Sequence, residues 1–236
     1  MSQKKFWFLS RVRIFQDLSL EDAEHLETLF EVQRYRRKQA IYNLGDSGDK
    51  IFIIKSGLVK ISKVTEEGKE LTLNFLTVGD IFGELAVFDG SPRNALAEAY
   101  DDTIVCSMTS EDFMRFMLKH PMVGLNVTRL IAERRRKLEN KIDNLLFKAA
   151  HARLAGLFME LASDFGVKDS RGTIINLKLT HREMANLIGS TRETVSFALI
   201  DLKKQGLIEA DGKRVILLDM EALSQVYDGR SPSAAS

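Results

Sequence analysis

Cysteine occurs once in this chain, at Cys106. A single thiol excludes a disulfide framework, a cysteine-held metal cluster and an iron–sulfur centre. Long apolar runs are also missing. None approaches the ~18–20 residues that a transmembrane helix needs, so no membrane partner is expected. The opening Met1-Ser2-Gln3-Lys4-Lys5, then Phe6-Trp7-Phe8-Leu9, holds too short an apolar segment for a secretory signal, and a cytoplasmic chain is expected. Neither sign of charge dominates: 34 Lys and Arg stand against 33 Asp and Glu, and residues 151–236 carry 11 of each. Without a broad basic field, any reading that involves nucleic acid must rest on particular residues. Catalytic sets are absent too. No His/Asp/Glu spacing suggests a metal hydrolase and no Ser/His/Asp set assembles, so the expectation is a non-enzyme without a metal. His25, His120, His151 and His181 read as surface or capping residues rather than haem ligands.

What remains is ordinary globular composition, 44% hydrophobic and 28% charged, in a 236-residue chain long enough for two compact units. Residues 32–108 read as short strands. Ile51-Phe52-Ile53-Ile54, Leu58-Val59-Lys60-Ile61 and Leu71-Thr72-Leu73 are separated by Asp46-Ser47-Gly48-Asp49, Ser56-Gly57 and Thr65-Glu66-Glu67-Gly68-Lys69. Closely spaced strands of this kind predict an antiparallel barrel or jelly roll. Ahead of them, Ser19 and Asp22 open a helix with a buried stripe of Ala23, Leu26, Leu29 and Phe30. Phe113, Met114, Phe116 and Met117 suggest the core side of a short helix that starts at Ser110 and ends near Pro121. A longer helix follows, with Val127, Ile131, Leu138, Ile142 and Leu145 along one side. That stripe fits either a seam for a partner helix or packing on its own domain, and Arg134 sits where an apolar residue is due. Beyond residue 149 come a helix, short strands, two helices and a hairpin. The tail Ser231-Pro232-Ser233-Ala234-Ala235-Ser236 is expected to be disordered. The class is α+β, divided as a barrel over residues 1–115, a pairing helix and linker over 116–148, and a helix-turn-helix domain over 149–236.

The most informative stretch of the front half is Phe82-Gly83-Glu84-Leu85-Ala86-Val87-Phe88-Asp89-Gly90-Ser91-Pro92-Arg93-Asn94-Ala95. A short helical turn opening near Gly83 aims backbone N–H groups at an anion, and Arg93 adds a fork of charged donors. Glu84 is then free to accept from a sugar hydroxyl. The alternative reading is a Glu84–Arg93 salt bridge over an empty barrel. In the rear half, Thr180-His181-Arg182-Glu183 has the form of a capping box. Gly189 breaks that helix, and Ser190 or Thr191 caps a second one running to about Gln205. The pair reads as a helix-turn-helix or as a plain helical hairpin with a charged outer face. Arg192 and Glu193 lie on the first turn of the second helix, and Ser196 one turn later; Arg can pair with guanine and Glu can accept from cytosine N4. Val195, Leu199 and Leu202 supply the packed face. Gly206-Leu207-Ile208 and Arg214-Val215-Ile216-Leu217, joined around Asp211-Gly212-Lys213, predict a two-stranded wing.

Gly-Glu-Leu-Ala, a short loop and Pro-Arg-x-Ala resemble the phosphate-binding cassette of cyclic-nucleotide-binding domains. Residues 179–218, with their Thr-Arg-Glu-Thr-Val and Gly-Leu-Ile runs, resemble the winged helix-turn-helix of the CRP/FNR transcription regulators. The two motifs stand in that family's order over roughly residues 10–220. The resemblance implies an allosteric ligand, cyclic AMP or another cyclic nucleotide, held by Glu84 at the ribose and Arg93 at the phosphate. Gly83, Leu85 and Ala86 would lend backbone groups, and Asn94 replaces a hydroxyl residue. Leu138 and Glu139 fall where cyclic-AMP receptor proteins place hydroxyl residues against adenine, which keeps open a different base contact, another ligand or ligand-independent activity. The resemblance further implies a homodimer on palindromic double-stranded DNA, with RNA polymerase as a partner. Thr180, Arg182, Thr191, Arg192, Glu193, Ser196 and Phe197 would form the DNA-facing set. Phe197 stands where the family commonly has a second arginine, so of a TGTGA-like half-site one base is unassigned. Two other classes stay open: a nucleotide-binding module acting on protein partners, which would need an attached effector, and a nucleotide enzyme, which would need a catalytic metal set.

Overall fold

Leu9 and residues 12–230 are described by the structure, a computed structural model; the opening segment and the tail read above lie outside the described residues. The chain divides between Arg136 and Lys137 into two units. In the first, Ser19 accepts from the Asp22 N–H at 3.1 Å and starts helix α1 (Leu20–Thr28), which buries Ala23 and Leu26. The helix stops at Thr28. Leu29 and Phe30 therefore pack against the same core from just beyond its last turn, half-buried, rather than extending its stripe.

Eight strands follow: β1 (Glu31–Tyr35), β2 (Ala40–Tyr42), β3 (Lys50–Ser56), β4 (Val59–Val64), β5 (Glu70–Leu76), β6 (Ile81–Phe82), β7 (Leu96–Ala99) and β8 (Thr103–Thr109). They form two antiparallel sheets ordered β1-β8-β3-β6 and β2-β7-β4-β5, the jelly-roll solution that alternating short strands predict. Strand β3 shows why its run is apolar throughout. Side chains alternate between sheet faces, so Ile51 and Ile53 join one core with the flanking helices while Phe52 and Ile54 join the core between the sheets. The first core also takes Phe113 and Phe116 of helix α3 (Ser110–Lys119) and Val123 and Val127 of helix α4 (Pro121–Phe147). Met114, expected inside, is 40% exposed because it lies on the opposite face of α3. The long apolar stripe of α4 is divided in use: Val127 is buried and Ile131 half-buried against this unit's own core, whereas Leu138 and Ile142 are exposed. Between β6 and β7 lies helix α2 (Glu84–Asp89).

The second unit holds helix α5 (Ala150–Phe165), β9 (Gly166–Asp169), β10 (Gly172–Ile175), helix α6 (His181–Ile188), helix α7 (Arg192–Lys204), β11 (Ile208–Asp211), β12 (Arg214–Leu217) and helix α8 (Met220–Tyr227). The expected two-stranded wing is half of a four-stranded antiparallel sheet, β11-β12-β10-β9. Ile216 of β12 pairs with Ile174 of β10 and is itself fully buried, so the hairpin is anchored by a second hairpin rather than standing alone. Leu154 and Phe158 of α5, Val195 and Leu202 of α7 and Leu223 of α8 are all buried to within 1% of full enclosure. The end of α4 is tied to α8 by the Tyr227 hydroxyl, which donates to Asn144 Oδ1 at 2.9 Å, and by Lys148 Nζ, 3.6 Å from the Tyr227 ring centre.

Candidate functional site

The cassette between β6 and β7 is built around a buried cation. Gly83 caps α2 with φ at +79°, and a side chain there would meet Arg93 Nη1 at 2.6 Å, so glycine at this position is what lets Arg93 lie across the turn. The Arg93 backbone is fixed from the other side: its N–H donates to Asp46 O and its carbonyl accepts from Gly45 N–H, each at 2.8 Å. The guanidinium then points inward, 3% exposed, donating through Nη1 to Gly83 O at 2.7 Å and through Nη2 to Lys50 O. Its carbon lies 4.6 Å from the centre of the Tyr42 ring and 5.4 Å from that of Phe52. Phe52 stacks on Phe82 at 5.1 Å, and Tyr42 leans on both, so three aromatic rings line the barrel interior beside the cation. Burial lowers the Arg93 pKa below its ordinary value and pushes the Tyr42 hydroxyl up to about 12. Arg93 Nε is buried and has no hydrogen-bond partner among the described residues. An inward-facing guanidinium with an unused donor fits an anion.

Glu84 is buried at 4% exposure, but it is neither free nor paired with Arg93. Arg134 of α4 donates through Nη1 to Glu84 Oε1 at 2.9 Å and through Nη2 to Ile81 O at 2.6 Å. The alternative of a Glu84–Arg93 salt bridge is thereby corrected, since the cation that reaches Glu84 comes from α4, and the reason is tertiary. Packing Val127 and Ile131 on the barrel carries the next turn of α4 over the cassette, where a carboxylate waits for a cation. The signal was in the sequence, since Arg134 interrupts the apolar stripe, but nothing local names its partner. The remaining cassette residues are simpler. Ala86 is buried, Leu85 is 47% exposed, and the side chain of Asn94 is exposed while its carbonyl accepts from Lys63 Nζ. Leu138 and Glu139 are exposed on the part of α4 that belongs to the second unit. The aromatic lining by Tyr42 and Phe52 was not foreseen, because their inward direction depends on strand register.

The helix-turn-helix forms as its caps dictate. Thr180 Oγ1 accepts from Glu183 N–H at 3.2 Å while the Glu183 carboxylate accepts from Thr180 N–H at 2.6 Å, closing the predicted capping box. Gly189 ends α6 in the left-handed region at φ +60°, and Thr191, not Ser190, caps α7 through Thr194 N–H. Arg153 of α5 donates to Gly189 O at 3.4 Å and fixes the turn from below. Arg182, Thr191, Arg192, Glu193 and Phe197 are exposed, Phe197 to 74%. Ser196 is half-buried and already engaged. Its hydroxyl donates to Arg192 O at 2.9 Å, so His181 Nδ1, 2.8 Å away, is the donor to Ser196 Oγ. His181, set aside in the sequence as a surface residue, thus links the two helices. Arg182, Arg192, Lys203, Lys213 and Arg214 surround a cavity of about 570 Å³ between these helices and the wing, with Glu209 as the one acid on its wall. Residues 151–236 are neutral in sum, but five of their 11 Lys and Arg line this cavity.

A jelly roll with an anion-fitting cassette, followed by a winged helix-turn-helix, defines a ligand-binding regulator of transcription. Residues 32–120 match the family described as cyclic nucleotide-binding domain, and residues 152–226 the Crp-like helix-turn-helix domain. The CRP-like cAMP-activated global transcriptional regulator of Mycobacterium tuberculosis is 31% identical over 217 residues, 92% of this chain and 97% of that protein. The cyclic AMP receptor protein of Thermus thermophilus is 28% identical over 216 residues, with 92% and 97% covered. The solved structure of a CooA variant from Carboxydothermus hydrogenoformans superposes with a TM-score of 0.76 at 28% identity, covering 92% of this chain and 94% of that one. The chain belongs to the CRP/FNR family: it is a DNA-binding transcription regulator with a cyclic-nucleotide-binding domain, not an enzyme. No helix among the described residues is long and apolar enough to cross a membrane.

Proposed function

We propose that this chain is a cytoplasmic homodimer whose affinity for palindromic DNA is raised by cyclic AMP bound in the barrel. The observation that carries the ligand half is the unpartnered Arg93 Nε, buried beside Gly83 and Glu84. A cyclic phosphate supplies negative charge and acceptor oxygens where that donor has none. Arg93 holds the phosphate, backbone groups of Gly83, Leu85 and Ala86 and the Asn94 amide assist, and Glu84 accepts from the ribose hydroxyl. Because Glu84 already carries Arg134, occupancy of the cassette acts on α4 directly. Leu138 and Glu139 meet the base. In this reading residues 1–115 sense, 116–148 pair the subunits and transmit, and 149–236 bind DNA, with RNA polymerase as the downstream partner. Thr180, Arg182 and Thr191 serve the DNA backbone, while Arg192, Glu193, Ser196 and Phe197 face the bases.

Two relatives whose names include cyclic AMP support this ligand. A second reading, a family regulator tuned to another ligand, is favoured by Leu138, which offers no hydrogen bond to a base, and by the three rings lining the barrel. One experiment tests both halves. Binding-site selection from a random duplex pool, with and without cyclic AMP at one salt concentration, should enrich a palindrome only with the nucleotide, its half-sites about 34 Å apart. Failure to enrich any sequence would overturn the DNA reading. Enrichment indifferent to cyclic AMP, with calorimetric binding of cyclic GMP or cyclic di-GMP instead, would transfer the site to the second reading.

A further inference from the structure

The exposed face of α7 carries an aromatic ring among charges. Residues advance 100° around a helix, so Val195, Ala198, Leu199 and Leu202 form the buried side, each at 7% exposure or less. Glu193, Phe197, Ile200, Asp201 and Lys204 form the opposite side, where Phe197 is 74% and Ile200 50% exposed. Phe197 is the sixth residue of the helix and lies one turn beyond Glu193, about 6 Å along the axis. At this exposure it packs into no core, and among the described residues it has no ring partner. Ile200 is its one exposed apolar neighbour on the helix, too little for the apolar centre of a protein interface, and Arg192 and Lys203 stand on the adjoining flank of α7, where with Arg182 they line the cavity against the wing. An apolar group beside a cationic flank, on the second helix of a helix-turn-helix, suits a polyanion that also presents apolar points. Double-stranded DNA has such points in its major groove, the 5-methyl groups of thymine.

We propose that Phe197 is a specificity-determining residue that selects thymine by contact with its 5-methyl group, about two base pairs from the base read by Glu193. The inference rests on the DNA-reading role proposed for α7. A phenyl ring neither donates nor accepts, so adenine and guanine would lose water from N7 and N6 or O6 without a replacement partner. Cytosine has no methyl group to bury. The half-site of this protein therefore carries thymine at this place, where an arginine would choose guanine.

The test uses the 236-residue chain in the presence of cyclic AMP. Site selection is run on wild type, Phe197→Ala and Phe197→Arg, and affinities are then measured on the wild-type site with its Phe197-dependent thymine replaced by deoxyuridine, by cytosine or by 5-methylcytosine. Deoxyuridine should weaken wild-type binding about fourfold, the equivalent of one buried methyl group. Methylating the cytosine should recover most of that loss, Phe197→Ala should be indifferent to all three, and Phe197→Arg should select guanine. Because the side chain is exposed, the thermal midpoints of the variants should equal the wild type's. Wild type indifferent to deoxyuridine at every thymine, or Phe197→Ala equally sensitive to it, overturns the proposal. A wild type that selects bases lost in Arg192→Ala but none lost in Phe197→Ala removes this inference and leaves the DNA reading standing. Selection of no motif removes both.

Discussion

Arg93 spends its charge on backbone carbonyls. Two of its donors reach Gly83 O and Lys50 O, its flat face lies on Tyr42, and Nε has no partner among the described residues. A cation so enclosed is strongly coupled to any anion that joins it, because little water competes for the pair. Replacing Arg93 with alanine should cost about 3 kcal/mol of nucleotide affinity by calorimetric titration. Equal affinities would take the phosphate away from this residue. Arg134 makes a different kind of contribution. Its loss leaves the Glu84 carboxylate, almost wholly buried, without its charged partner, so Arg134→Met should lower the unfolding free energy by roughly 2 kcal/mol in urea melts. An unchanged midpoint would mean that water replaces the guanidinium at Glu84.

At the level of elements, α6 and α7 owe their ends to single residues. The Thr180–Glu183 box satisfies N–H groups that the first turn of α6 cannot, and its removal in Thr180→Ala should cost about 1 kcal/mol of stability. The comparison of thermal midpoints with Thr180→Ser, which keeps the hydroxyl, separates the cap from any DNA contact of the same side chain. Helix α4 is the element with two duties. Its first half is spent on its own barrel through Val127 and Ile131, and its second half leaves Leu138, Ile142, Leu146 and Phe147 in water. Of these, Leu138 and Ile142, with half-buried Leu145, belong to the stripe proposed as the dimer seam. Leu138→Asp should give monomers by light scattering and weaken DNA binding with them; an unaltered dimer would place Leu138 outside the interface.

For the whole molecule, the proposed coupling of ligand to DNA is a statement of linkage. If cyclic AMP raises the affinity for the selected duplex by some factor, that duplex must raise the affinity for cyclic AMP by the same factor. Titrating nucleotide with and without saturating duplex measures it. A large effect in one direction with none in the other would show that the two sites were measured on different species, for example monomer and dimer. Arg134→Met offers a second view of the same coupling, since it cuts the contact between cassette and α4 while leaving Arg93 in place.

The sequence by itself determined the pieces whose cause is local. The unbroken apolar run of β3, the caps at Ser19 and Thr180, glycine at 83 and 189 and the apolar side of α7 can each be read within a few residues. These are enough to draw the jelly roll, the helix-turn-helix and the order of the two motifs. Who pairs with whom is settled by packing at long range. That Arg134 and not Arg93 holds Glu84, that the wing is half of a larger sheet, that Tyr42 and Phe52 face Arg93 and that His181 reaches Ser196 are meetings of residues 15 or more positions apart. A charged or aromatic side chain has the same local preferences whichever partner it finds. The partner is set by where the sheets and helices bring the backbone, and that is fixed by burial of the core rather than by the residue itself.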